Sequence, residues 1–68
     1  MTIAYIRAID IPDGATIFVK WADWDGEGEW KQVERVGPRS RLSPYIVAWF
    51  MDGTRASMNP NNTVQMQS

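Results

Sequence analysis

The stretch from Tyr45 to Met58 constrains the fold most, because two runs of strand-forming residues flank the dipeptide Asp52-Gly53. Asp-Gly is favoured in two-residue hairpin loops, where both central residues take positive φ. We therefore predict a tight antiparallel hairpin in which Met51 lies opposite Thr54. The rest of the chain is then interpreted as strands that pack against this hairpin.

The predicted register gives the hairpin two unequal faces, because directly opposed residues point the same way. One face is apolar throughout and is predicted to be core: Val47, Trp49, Met51, Ala56 and Met58. The other face is mixed: Ile46, Ala48, Phe50, Arg55 and Ser57. A purely solvated face would not keep Ile46 and Phe50, so we predict that a loop covers this face or that a partner binds there.

Strand signals also occur in four other segments, residues 2–9, 15–22, 30–36 and 63–67. Trp30, Val33 and Val36 are spaced by three, which fits a bulged strand or a turn of helix. The valine content and the β-rich neighbours favour the bulged strand. Turn signals separate these segments at Pro12-Asp13-Gly14 and at 59–62, where we predict one turn of 3₁₀ helix.

Alternation assigns faces to two of these strands. Ile17 and Val19 share one face of the second strand, and Ile3, Tyr5 and Arg7 share one face of the first. Neither face of the first strand is purely apolar, so we expect partial cover on both sides.

Composition limits the chemistry of this single domain, residues 1–68. The chain has no cysteine and no histidine, which excludes disulfides and thiolate metal sites and removes the commonest general base. No phosphate loop or nucleophile motif occurs. We predict a protein that is not an enzyme, with no cofactor and no bound metal, whose small core depends on its aromatic residues.

These elements predict an all-β fold, a five- to six-stranded antiparallel barrel with a 3₁₀ turn before the last strand. The segments I-F-V-K-W, D-G-E-G-E-W-K-Q-V-E-R-V, P-Y-I-V-A-W-F-M-D-G-T-R-A-S-M and T-V-Q-M-Q follow one another in an order that resembles SH3-like barrels, most closely the Tudor type. The resemblance covers about residues 15–67 and leaves residues 2–9 as an added edge strand.

The Tudor resemblance implies an aromatic cage that takes a methylated ammonium by cation–π contact. Such a cage would draw on Trp24, Trp30, Tyr45 or Phe50, with Asp23 nearby. The alternative is that these aromatic side chains pack beneath loops. For Trp24 and Phe50 both interpretations stay open.

An acidic loop offers a second alternative function. Asp23-x-Asp25-x-Glu27-Gly28, with Glu34 at the twelfth position, follows the spacing of an EF-hand calcium loop. Strand-like segments flank it where an EF-hand has helices, so a solvated loop is favoured over a calcium site.

Four arginines offer another alternative: Arg35, Arg39, Arg41 and Arg55. If they cluster, they would form a nucleic-acid surface, with aromatic rings for base stacking. The small number of arginines and the net charge of −1 favour a solvated basic loop instead.

The leading hypothesis is non-catalytic binding of another protein or a peptide. The predicted sites are the acidic-aromatic loop and the mixed face of the hairpin: Asp23, Trp24, Asp25, Trp30, Ile46, Phe50 and Arg55. A homodimer is an alternative occupant of that face. No apolar run approaches the roughly 20 residues that span a bilayer. No signal-peptide pattern is present either, so we expect a complete cytoplasmic chain without a membrane segment. Analogy with other stand-alone small barrels suggests a phage or mobile-element accessory protein.

Overall fold

The structure is a computed structural model that describes residues 2–20 and 28–67. It contains six strands, which are β1 (Ile3–Arg7), β2 (Thr16–Val19), β3 (Glu29–Pro38), β4 (Ile46–Phe50), β5 (Arg55–Met58) and β6 (Thr63–Gln67). All of the strand pairs are antiparallel, in the order β1-β6-β2-β3-β4-β5. The predicted all-β antiparallel class is therefore confirmed, and the N-terminal strand is an edge strand as expected.

One 3₁₀ helix lies at Ala8–Asp10 in the described part of the chain, directly after β1. The turn before β6 is closed by one hydrogen bond of the 3₁₀ type, from Asn62 N–H to the Asn59 carbonyl at 3.0 Å. The Ala8 N–H donates to the Asn62 carbonyl at 2.8 Å, and the Ile9 N–H donates to the Pro60 carbonyl at 3.0 Å. The helix after β1 and the turn before β6 are thus joined by hydrogen bonds at the same end of the β1–β6 pair.

The sheet curls around one core. Ile17, Val33 and Phe50 are its largest fully buried side chains, and they come from three neighbouring strands. Ala8 and Ile11, which follow β1, pack into the same cluster, as does Ala56 of β5 at the other end of the sheet. The buried residues of both ends therefore share one interior, which is how so short a chain builds a core.

A bulge interrupts β3, as the spacing of Trp30, Val33 and Val36 predicts. Val33 pairs with Phe50, but Arg35 pairs with Trp49, so Glu34 is the extra residue. A bulge changes the phase of the alternation and re-aims the side chains that follow. Val33 and Val36 consequently both contribute to the core, while Arg35 turns to the outer face.

The β4–β5 loop differs from the prediction. The Phe50 N–H donates to the Thr54 carbonyl at 2.9 Å, and the Gly53 N–H donates to the Phe50 carbonyl at 3.1 Å, so the loop has three residues, 51–53. Trp49 therefore pairs with Arg55 rather than with Ala56. The predicted two-residue loop is wrong by one position, and this slip puts the β4 side chains on the face opposite to the predicted one, while those of β5 keep theirs.

The face assignment of β4 is therefore reversed, whereas that of β5 is confirmed, since Ala56 is buried and Arg55 and Ser57 are exposed. Ile46, Ala48 and Phe50 are core residues, with exposed fractions of 8%, 0% and 1%. Ile46 and Phe50 were predicted to contact a partner, and their burial corrects that prediction. Trp49 was predicted to be core, but it lies on the outer face beside Arg55.

Local conformation and tertiary contacts explain the longer loop. A two-residue type I′ loop needs positive φ at both central residues, whereas the three-residue loop needs it only at Gly53, whose φ is 89°. The Asp52 carboxylate accepts a hydrogen bond from the Thr54 N–H at 2.9 Å, which stabilises the turn. Asp52 also accepts one from Lys31 Nζ of β3 at 2.7 Å.

Candidate functional site: an arginine-tryptophan groove

The outer face of β3, β4 and β5 carries a groove of about 410 Å³. Its lining consists of side chains from β4, β5 and the loop that follows β3: Arg39, Val47, Trp49, Arg55 and Ser57. We call it the arginine-tryptophan groove. The predicted nucleic-acid residues Arg39 and Arg55 lie in its wall, whereas Arg41 is exposed on the 39–45 loop outside it.

Strand register places three side chains in one row across this face. Trp49 pairs with Arg35 of β3 on one side and with Arg55 of β5 on the other. The Arg35 Cζ lies 3.8 Å from the centroid of the Trp49 ring, which is a cation–π contact. Gly37 lies one row further along, and a Cβ there would be 3.4 Å from Trp49 Cζ3. Glycine at this position thus leaves room for the indole to lie against the sheet.

The groove is positively charged. Among residues 2–20 and 28–67, no carboxylate forms an ion pair with Arg35, Arg39 or Arg55, and none lines the groove. The ion pairs of the described residues lie elsewhere: Arg7 with Asp10, and Lys31 with Glu29 and Asp52. Three of the seven basic residues of the chain therefore lie on this face, Arg35, Arg39 and Arg55.

The groove runs along the β5 edge of the sheet, which is open in the sense that no other described strand pairs with it. Phe50 and Thr54 form a hydrogen-bonded pair, and along an antiparallel strand every second residue forms such a pair. The backbone groups of Ala56 and Met58 therefore bond to β4. The N–H and C=O groups of Arg55 and Ser57 point away from β4. On the inner side of the same edge lies an opening of about 580 Å³ between β5, β2 and β6. Its described lining includes Ile17, Val19, Met58 and Val64, with Lys20 as the one charged side chain.

Sequence reasoning missed a second polar cluster, centred on Lys31. Its side chain is only 9% exposed, and Nζ donates to Asp52 Oδ2 at 2.7 Å and to Thr54 Oγ1 at 2.8 Å. Nζ also lies 3.2 Å from Glu29 Oε1 and 5.5 Å from the centroid of the Phe50 ring. Lys31 lies two residues before the core residue Val33, so strand alternation points both side chains to the same face. This alternation is the sequence signal for a buried Lys31 side chain.

These contacts shift two pKa values in opposite directions. The hydrogen bond from Lys31, followed by those from Thr54, holds the pKa of Asp52 well below its usual range. The hydrogen bond to Asp52 raises the pKa of Lys31 above its usual value. Both groups are charged across the neutral range, so the cluster joins the loop to β3 electrostatically.

The other predicted site residues are dispersed. Trp30 is half-buried and makes an edge-to-face contact with Phe18, with the ring centroids 5.4 Å apart. Tyr45 is 45% exposed just before β4. Three predicted residues lie outside the described residues: Asp23, Trp24 and Asp25. Glu34, the last position of the calcium-loop spacing, lies at the bulge of the strand β3.

No group of three or more potential metal ligands occurs within the described ranges. In the same ranges, the structure has no helix with the length and apolar character needed to cross a bilayer. Comparison of the chain with protein-family models, curated proteins and solved structures gives no match. The arginine-tryptophan groove and the open edge beside it are therefore the features from which a function is inferred.

Proposed function

We propose that this chain is a non-catalytic binding module that holds an extended acidic segment of another protein in the arginine-tryptophan groove. The observation that carries the proposal is the convergence of Arg35, Arg39 and Arg55 around Trp49 without a described carboxylate to neutralise them. Arginine binds carboxylates with two parallel hydrogen bonds, which adds geometric specificity to the attraction.

The open edge of β5 supports an extended ligand. The outward N–H and C=O groups of Arg55 and Ser57 can pair with an added strand, a common mode of peptide recognition. Successive side chains of a strand point to opposite faces. An added strand would therefore alternate between the groove, which favours acidic residues, and the opening beside Met58, which favours apolar ones.

This proposal requires no methyl-ammonium cage. Of the residues that the Tudor resemblance suggested for a cage, Phe50 is buried in the core and Trp30 packs against Phe18. The proposal keeps the predicted binding class and Arg55, and it replaces Ile46 and Phe50 by Trp49 and Arg39. The cytoplasmic location and the phage or mobile-element origin stay predictions.

Single-stranded nucleic acid is the second candidate ligand, because arginine beside an aromatic ring also suits phosphates and bases. Two observations favour the peptide. The Arg35 guanidinium covers a face of the Trp49 ring on which a base would stack. The three arginines allow only a few phosphate contacts, and electrostatic affinity for nucleic acid depends on the number of such contacts.

Fluorescence anisotropy tests the proposal with three labelled probes: a peptide of alternating Glu and Val, its Gln and Val counterpart, and oligo-dT. We expect binding of the acidic peptide, weaker binding of the neutral one, and loss of affinity in Arg39→Gln and Arg55→Gln. Arg41→Gln is the matched control, because Arg41 is exposed outside the groove. Equal affinity for both peptides would contradict the proposal, and binding of oligo-dT alone would favour nucleic acid.

A further inference from the structure

The strand β1 forms the other open edge of the sheet, and its character differs from that of β5. Its exposed face carries large apolar side chains, with Ile3 41% and Tyr5 70% exposed, and Ile9 just beyond the strand is 54% exposed. The neighbouring residues on β6 are uncharged: Gln67 pairs with Ile3, and Gln65 pairs with Tyr5. Exposed apolar side chains on an open strand edge mark a surface that pairs with another chain.

The hydrogen-bond alternation of β1 follows from its pairing with β6. The Ala8 N–H donates to the Asn62 carbonyl at 2.8 Å, and the same register continues through Ile6 with Val64. Residues 4, 6 and 8 therefore bond to the β6 side of the sheet. The N–H and C=O groups of Ile3, Tyr5 and Arg7 point outward, where no described strand pairs with them.

This arrangement is self-complementary about Tyr5. If a second copy of β1 pairs antiparallel with Tyr5 opposite Tyr5, then Ile3 lies opposite Arg7 in both directions. In each of these pairs, Tyr5 with Tyr5 and Ile3 with Arg7, the outward N–H and C=O groups of the two copies face each other and can form hydrogen bonds. The same residues of both copies are used, which is the property of a two-fold symmetric interface. Tyr5 is the middle residue of the five-residue strand, so this register pairs all of its outward groups.

Charge also favours a second copy of this edge over a charged partner. Arg7 Nε donates to Asp10 Oδ2 at 3.0 Å, so the one basic residue of the edge has a partner within its own chain. At β5, by contrast, self-pairing would bring the Arg55 side chains of two copies together beside Arg39. Like charges on adjacent strands are destabilising.

We propose that two copies of this chain associate through an antiparallel β1–β1 pair centred on Tyr5, forming a continuous sheet across a two-fold axis. The interface leaves the arginine-tryptophan groove at the far edge open in both copies. Association also stabilises the folded state of this small domain, because only folded copies bind each other and their binding shifts the folding equilibrium toward the folded state.

Sedimentation equilibrium tests this association. We expect the wild-type chain to sediment at twice its mass of 7.8 kDa at high concentration and to dissociate on dilution. Tyr5→Lys should abolish the dimer, because it places two ammonium groups opposite each other on the axis. Ser57→Lys is the matched control at the β5 edge and should leave the dimer intact. A wild-type chain that sediments at 7.8 kDa at every concentration would overturn the proposal. A dimer that Ser57→Lys dissociates and Tyr5→Lys leaves intact would overturn it as well.

A cysteine trap tests the register. The chain has no native cysteine, so Tyr5→Cys introduces its only thiol. Opposed residues of a hydrogen-bonded antiparallel pair have Cα atoms about 5.5 Å apart, within the range of about 4.4–6.8 Å that a disulfide spans. We expect mild oxidation to cross-link Tyr5→Cys and not Ser57→Cys, with circular dichroism showing both variants folded. A folded Tyr5→Cys that does not cross-link would overturn the Tyr5-centred interface.

Discussion

The two open edges of the sheet have the same backbone chemistry and opposite surfaces. Both β1 and β5 turn the N–H and C=O groups of alternate residues outward. The outer face of β1 carries Ile3 and Tyr5, whereas that of β5 carries Arg55 beside Arg39 and Trp49. Side chains therefore decide what each edge can accept: a second copy at the apolar edge, and an acidic segment at the basic one.

The difference also shows how a small sheet limits indiscriminate pairing. Natural proteins place charges on exposed edges to prevent aggregation. The arginines place charge at the β5 edge, and in the proposed function they also select the ligand. At β1 the Arg7–Asp10 ion pair leaves little net charge, so charge protects this edge less than it protects β5.

The largest expected effect comes from removing the core on which both edges depend. Phe50→Ala should cost about 3–5 kcal/mol. The total stability of a domain is about 0.05–0.15 kcal/mol per residue, or about 3–10 kcal/mol for 68 residues. We expect the variant to be largely unfolded by circular dichroism, with both interactions lost. Met51→Ala, at a position 55% exposed in the adjacent loop, is the control and should stay folded.

Gly28→Ala should destabilise the sheet between the two edges. A Cβ at this position would lie 2.5 Å from Phe18 Cζ and 2.7 Å from the Val19 carbonyl oxygen, so the backbone must move. Overpacking of this kind costs about 1–3 kcal/mol. Urea unfolding should show a lower midpoint than that of Gly37→Ala, where the nearest atom is 3.4 Å away. Equal midpoints would contradict the close contact at Gly28.

Charge reversal at the basic edge should separate the two interactions. Arg55→Glu should weaken binding of the acidic peptide by roughly tenfold, equivalent to about 1.4 kcal/mol, because it replaces an attraction by a repulsion. The dimer should persist, since Arg55 lies at the opposite edge of the sheet. Salt should reduce the difference between variant and wild type, because exposed charges are screened. Simultaneous loss of the dimer would contradict the assignment of separate edges.

The smallest effect concerns pH. The pKa of Asp52 is lowered in the folded chain, so its contribution to stability is complete above the ordinary value of 3.8 and is lost as pH falls below that value. Lys31 has a raised pKa, so its contribution is complete below 10.5 and is lost as pH rises through the folded value. The stability difference between wild type and Asp52→Asn should be constant near neutrality and should shrink in acid. A difference that grows in acid would contradict the sign.

Much of the fold follows from local patterns. Alternation correctly puts Ile17 and Val19 on one face of their strand, and both are buried. The spacing of Val33 and Val36 correctly indicates a bulge. These predictions succeed because period-two alternation and turn chemistry act within a few residues.

The candidate site was less predictable. The sequence groups Arg35, Arg39 and Arg55 as one candidate surface, but its alternation predicts that Trp49, the residue that they surround, lies in the core. Two one-residue irregularities decide this face: the bulge at Glu34 turns Arg35 outward, and the third loop residue turns Trp49 outward. Neither is recognisable as a binding feature in the sequence alone.

The sequence by itself determines the order and approximate positions of the strands, and that no cysteine or histidine chemistry is available. The tertiary structure decides which face of β4 lies inside. That choice depends on whether Phe50 fills the core between Ile17 and Val33, and on whether Asp52 reaches Lys31 across the sheet. A shift of one residue reverses the two faces of β4 at little local cost, so contacts distant in sequence select the register.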